Sequence, residues 1–190
     1  MKVRTSLVLA FVTIGSFAAG ADTWTVDPVH SSAIFKVHHL GASNVYGAIP
    51  KISGTVDFSE DLALGAVNVT IAAESVTTYN GARDTHLKGP DFFNAKEFPN
   101  ITFKSTAWKK TGDHTADVTG DFTLLGKTES ITAEVTHTGT GSNPRSGKPI
   151  VGFETNFVID RTKFGMNYGV AETGGVGKEV TIIFAVECGK

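Results

Sequence analysis

Six histidines, one cysteine and a scatter of serines and acids are the side chains of this 190-residue chain with the means to do chemistry. A metal site needs ligands that converge. His38 and His39 are adjacent in a segment that alternates like a β-strand, so they point to opposite faces and cannot chelate one ion together. His30, His86, His114 and His137 share no short ligand spacing, and Cys188 stands alone. No metal and no other cofactor is expected from this pattern. Nucleophilic catalysis needs a serine or cysteine held against a base with an orienting acid, and no serine here has the flanking glycines of a nucleophile elbow. Arg83-Asp84-Thr85-His86 holds the ingredients of acid–base chemistry. On one short helix, however, Arg83 and Asp84 are neighbours better placed to cap the helix and tie it to the rest of the fold. No catalytic residue is assigned.

Two features suit binding better than reaction. His39 falls on the apolar face of its strand, as a hydrogen-bonded core histidine or as a polar contact for a ligand head group. In the segment from Arg161 to Tyr168, Arg161 stands close to Phe164 and Met166. Such a loop either meets a phosphate or carboxylate at a cavity mouth or packs its apolar members against the end of the fold.

Elements that position these residues follow from periodicity. Alternation with period two recurs from residue 22 to the C-terminus and long helical periodicity is nearly absent, so the class is all-β. The first strand places Ala33, Phe35, Val37 and His39 on one face. The second runs through Val45, Gly47 and Ile49, is interrupted at Pro50, and resumes with opposite parity at Ile52, Gly54, Val56 and Phe58, as a bulge or sharp bend requires. Further strands are expected at 67–73, 101–103, 116–124, 131–135, 151–159 and 180–186, which makes eight. Eight amphipathic strands close as a barrel or pack as a sandwich, and the barrel has an interior just wide enough for side chains or one small ligand. Small inward residues at Ala33, Gly47, Gly54, Ala73, Ala116 and Gly120 suggest room inside. The stretch from Asn80 to Pro99 breaks the alternation. It reads as a short helix over 83–88, a stop at Gly89-Pro90 and a turn over 91–94, with Leu87, Phe92, Phe93 and Phe98 capping one barrel end. Loose turns are expected at 111–113, 126–127 and 139–147.

The N-terminus has Lys2 and Arg4, an apolar run from Leu7 to Ala19 and the small triplet Ala19-Gly20-Ala21, which is the build of a secretory signal peptide over residues 1–21, cleaved after Ala21. No later stretch approaches the ~20 apolar residues of a membrane span, so the mature chain, residues 22–190, is read as one domain without a transmembrane segment. The chain carries a net charge of −2, and loss of two bases with the leader takes it to −4. With no basic stripe to neutralise phosphates, a nucleic-acid partner is not expected. The single cysteine cannot form an internal disulfide, so the fold must stand on its core, with Cys188 as an inert thiol in the last strand.

The mature chain resembles the YceI-like family of lipocalin-like, polyisoprenoid-binding periplasmic proteins. The resemblance is carried by Trp24-Thr-Val26-Asp27-Pro-Val-His30-Ser31, Phe35-Lys-Val37-His-His39-Leu40-Gly41, Arg83-Asp84-Thr-His86-Leu87-Lys88, Asp91-Phe92-Phe93, Phe98-Pro99-Asn-Ile-Thr102-Phe103-Lys-Ser105, Gly120-Asp-Phe122-Thr123-Leu124 and Ile159-Asp-Arg161-Thr-Lys-Phe164-Gly165-Met166. Pro50, Gly89 and Asn94 depart from the family's pattern and bear on the cavity outline and helix cap. The resemblance implies an eight-stranded antiparallel lipocalin-like β-barrel with one or two short helices, located in the periplasm. Its apolar cavity would take an isoprenoid or fatty-acid-like amphiphile. On that footing the tail is expected among Phe35, Val37, Val69, Phe103, Phe122, Phe153 and Phe157, with His39, Arg161, Phe164 and Met166 towards the head group. The protein is expected to bind and not to act as an enzyme, and a homodimer is left open. The alternatives are a lipid-modifying enzyme using His39 or His86, and a packed-shut barrel with a protein partner.

Overall fold

A computed structural model describes residues 20–171 and 174–190. Residues 1–19 of the expected leader lie outside them. Strands follow in the order β1 (Asp22–Val26), β2 (Ser32–His39), β3 (Ser43–Ala48), β4 (Ile52–Phe58) and β5 (Gly65–Ala72), then helix α1 (Gly81–Lys88). After it come β6 (Asn100–Lys110), β7 (Thr115–Leu124), β8 (Lys127–Ser142), β9 (Pro149–Asp160) and β10 (Val176–Gly189). Every pairing between these strands is antiparallel. The order runs β1-β4-β5-β6-β7-β8-β9-β10, and β10 returns to β1, which closes the sheet on itself.

Ten strand segments make eight staves. β1 and β2 lie end to end against β10, at Cys188–Gly189 and Val176–Ala185 respectively, and β3 and β4 lie end to end against them. The expected bend at Pro50 is therefore present, and β3 and β4 are the single bent strand read from the alternation. β1 was not expected. Its break from β2 has a physical cause in Pro28, which has no N–H to donate. There the Ser31 hydroxyl takes over the ladder, donating to the Glu187 carbonyl at 3.2 Å and accepting from the Glu187 N–H at 3.1 Å.

Three strands run well beyond their apolar alternation, β10 among them, which spans Val176–Gly189 where 180–186 was expected. β6 continues through a register shift between Ser105 and Ala107 as far as Lys110. β8 passes through another shift between His137 and Gly139, so the start of the expected loose segment over 139–147, as far as Ser142, is strand. Only the turn at its end is irregular, with the Asn143 carboxamide accepting from the Arg145 and Ser146 N–H groups.

Among the described residues one α-helix forms, together with short 3₁₀ turns at Ala73–Ser75 and Arg161–Phe164. Asn80 caps α1 by accepting from the Arg83 N–H at 3.0 Å, so the cap is Asn80 and not Arg83 or Asp84. Those two side chains do tie the helix to the barrel. Asp84 accepts from Thr77 Oγ1 at 3.0 Å and from the Thr78 N–H at 2.7 Å, while Arg83 Nε donates to Thr78 Oγ1 at 2.7 Å. Thr77 in turn bridges to Ala48 at the end of β3.

One end of the barrel is closed by packed aromatic rings. Phe58 meets Trp24 at 5.7 Å and Phe153 edge-on at 5.1 Å, and Trp108 Nε1 donates to the carbonyl of the buried Leu62 at 2.8 Å. Among the described residues no helix is long and apolar enough to cross a membrane.

Candidate ligand-binding cavity

Inward parity along each stave places apolar side chains in the barrel, and they do not fill it. Two cavities remain, of ≈ 70 Å³ and ≈ 80 Å³. The first lies towards the packed end, between Val56, Val67, Val69, Phe103, Trp108 and Val135. The second lies under α1 and the loop that follows it, between Phe35, Val37, Ile71, Phe122, Leu124 and Ile159. Leu87, Phe92 and Phe93 form its roof together with Met166 and Val176. The interior is thus not packed shut.

The small inward residues leave less room than their size suggests. A Cβ on Gly47 would stand 2.2 Å from the Phe35 ring, and one on Gly120 would stand 2.5 Å from the Phe103 ring. Both glycine spaces are occupied by aromatic rings from the adjacent stave. At Gly54, φ is +143° and a Cβ would meet the Asn68 carbonyl at 2.1 Å, so this glycine serves close strand approach. Of the six small positions only Ala33 lines a cavity.

Three polar residues border the cavities, and none offers them a free polar group. Glu154 is exposed to solvent. Thr155 donates its hydroxyl to the Glu134 carbonyl at 2.6 Å. Arg161 is only 2% exposed, and its guanidinium is spent on backbone carbonyls. Nε donates to Gly177 at 2.8 Å, Nη1 to Met166 at 2.9 Å, and Nη2 to Tyr168 at 3.0 Å and Val176 at 2.9 Å. Burial lowers its pKa because desolvation penalises the charge. The expected cationic contact for a head group is in fact an internal staple joining the 3₁₀ turn, the 165–169 loop and the start of β10. Its stem alone faces the second cavity.

The expected binding residues separate accordingly. Val69, Phe103, Phe153 and Phe157 line the first cavity, and Phe35, Val37, Phe122, Arg161 and Met166 line the second. Phe164 is 2% exposed and lies behind Phe122, with ring centroids 5.6 Å apart. His39 ends β2 opposite Ser43 and Val176, outside both linings. Phe184, which borders both cavities, was missed, as was Ile182 in the second. Both sit on the inward parity of β10, the signal by which they were open to discovery.

Titratable groups also meet outside the cavities, on the roof and at the break between β1 and β2. On the roof, His86 Nε2 meets Asp91 Oδ2 at 2.8 Å, and the His86 ring stands edge-on to Phe92 and Tyr168, each at 5.0 Å. This joins the loop after α1 to the loop that carries Tyr168. At the break between β1 and β2, His30 Nδ1 lies 2.9 Å from Asp27 and 3.5 Å from Glu187. The hydrogen bond that His30 donates to the Asp27 carboxylate raises the His30 pKa, with the charges of Asp27 and Glu187 adding to it, and the same bond lowers that of Asp27. Asp27, His30 and Glu187 are the one group among the described residues able to offer three converging metal ligands. A charge-assisted hydrogen bond already accounts for their spacing.

The YceI-like domain family matches residues 24–188. Protein YceI of Escherichia coli O157:H7 is 37% identical over 189 residues, covering 98% of this chain and 96% of that protein. Among solved structures, BcnA of Burkholderia cenocepacia superposes with a TM-score of 0.74 at 29% identity, covering 85% of this chain and 98% of that one. A polyisoprenoid binding domain from Saccharophagus degradans, implicated in plant cell wall breakdown, superposes with a TM-score of 0.66 over 87% and 97% of the two chains. Its identity is 14%, and the likeness is one of fold.

Proposed function

The chain belongs to the YceI-like family, and from that premise we propose that it holds the apolar tail of an isoprenoid or fatty-acid-like amphiphile inside the barrel, as a periplasmic carrier or scavenger. The observation that carries this reading is the pair of interior cavities whose only polar neighbours among the described residues have their hydrogen-bonding groups satisfied or turned to solvent. Such a lining rewards burial of a hydrocarbon and offers nothing to a polar substrate. The polyisoprenoid binding named for the S. degradans domain supports the tail class. The leader-like first 21 residues support the periplasmic address.

Holding is favoured over conversion. His39 and His86 both lie outside the cavity linings, so neither faces a tail buried there. Binding is tested by mass spectrometry of gently extracted protein and by titration with a fluorescent lipid. Saturable uptake and a co-purifying amphiphile are expected, and absence of both removes the carrier reading. Cell fractionation with N-terminal sequencing tests the address, with a mature start at Asp22 expected.

A further inference from the structure

The two cavities meet at a wall of aromatic rings. Phe184 borders both. Its ring stacks on that of Phe157 with centroids 6.1 Å apart and an interplanar angle of 29°, and Phe157 meets Phe122 edge-on at 6.0 Å. Phe122 is backed in turn by Phe164, edge-on at 5.6 Å. Phe164 belongs to the 3₁₀ turn that Arg161 staples to four carbonyls, so the wall is braced from outside the lumen as well as from within it. The cavity on one side is roofed by loops. The cavity on the other backs onto the packed Trp24, Phe58 and Phe153 end.

Building on the tail-binding reading above, we infer that Phe184, with Phe157 and Phe122, is a depth stop that sets the length of tail this barrel accepts. A tail enters beneath the roof of Leu87, Phe92 and Phe93, lies in the second cavity and ends against the ring of Phe184. The first cavity is spare volume that a tail reaches only when the wall is removed. Each methylene moved from water into an apolar lining strengthens binding about fourfold. Affinity therefore climbs with tail length at that rate and stops climbing once the tail meets the rings.

The test uses straight-chain fatty alcohols from eight to twenty carbons, with dissociation constants measured on the whole mature protein. In the wild type, affinity is expected to rise about fourfold per methylene and then level off. Phe184→Ala should move the plateau several carbons further out, and the milder Phe184→Leu should move it in the same direction if the alanine variant fails to fold. Ala133→Leu, which fills part of the first cavity, should leave the wild-type series unchanged and should cancel the extension in Phe184→Ala. A plateau that stays in place in both Phe184 variants overturns the depth stop, as does a wild-type plateau that Ala133→Leu shortens. Failure of every alcohol to bind any variant would instead overturn the tail-binding reading on which it rests.

Discussion

Replacing Arg161 separates its two conceivable roles, as a staple within the fold and as a head-group contact. Its guanidinium makes four hydrogen bonds to carbonyls at 2.8–3.0 Å. Hydrogen bonds with a charged partner contribute about 1.5–3 kcal/mol each. Against that gross gain stands the cost of taking a guanidinium out of water, which is several kcal/mol. Arg161→Met keeps the buried stem and removes every donor, and a net loss of about 3–5 kcal/mol is expected. With a urea dependence near 2 kcal/mol per molar, the unfolding midpoint falls by about 2 M. Fluorescence of Trp24 and Trp108 reports the transition. Arg161→Lys should recover little, because one ammonium on a shorter planar-less stem cannot span the carbonyls of Gly177, Met166, Tyr168 and Val176. The preference between a fatty acid and an alcohol of equal tail should not change in either variant. Stabilities within about 0.5 kcal/mol of the wild type would refute the staple. So would a loss confined to carboxylate ligands, which would make Arg161 a head-group contact after all.

Gly120→Ala places a methyl against the Phe103 ring and within 2.6 Å of the Lys104 carbonyl, and should cost about 1–3 kcal/mol in the same urea titration. Burial pushes the Cys188 thiol up to about 12, with the charge of Glu187 adding to it. Thiol reagents should therefore label the native protein no faster than it unfolds, as a comparison of labelling and unfolding rates will show. Nuclear magnetic resonance should find the His30 titration above the ordinary histidine value and returned towards it by Asp27→Asn. Because the folded state raises His30, its contribution to stability is complete below the ordinary histidine value and fades as pH rises through the raised one. Asp27 is lowered, so its contribution is present above the ordinary aspartate value and is lost as pH falls through the lowered one. Stability measured against pH should lose the dependence at the acid end in Asp27→Asn and keep at the histidine end only the smaller part due to Glu187.

The sequence by itself determined which residues face inwards, because side-chain alternation is local to each strand and survives any way of packing the strands together. Phe35, Val69, Phe122 and Phe153 were legible for that reason, as was the parity change at Pro50, where a missing N–H interrupts the ladder. Leu87, Phe92 and Phe93 were legible as a cap because they break the alternation in one apolar cluster, whereas Phe98, expected with them, lies outside the roof, against Gly126. β1 escaped notice because only Trp24 and Val26 mark its inward face across five residues. Closure was decided by the tertiary structure alone, since it depends on β10 finding β1 and β2 from the far end of the chain. The same is true of what fills the interior. Gly47 and Gly120 look like vacancies until Phe35 and Phe103 from adjacent staves lie over them. Arg161 looks like a cation awaiting an anion until folding brings the carbonyls of Met166, Tyr168, Val176 and Gly177 around it. A side chain's type states what bonds it can make, and only the fold states which of them are already made.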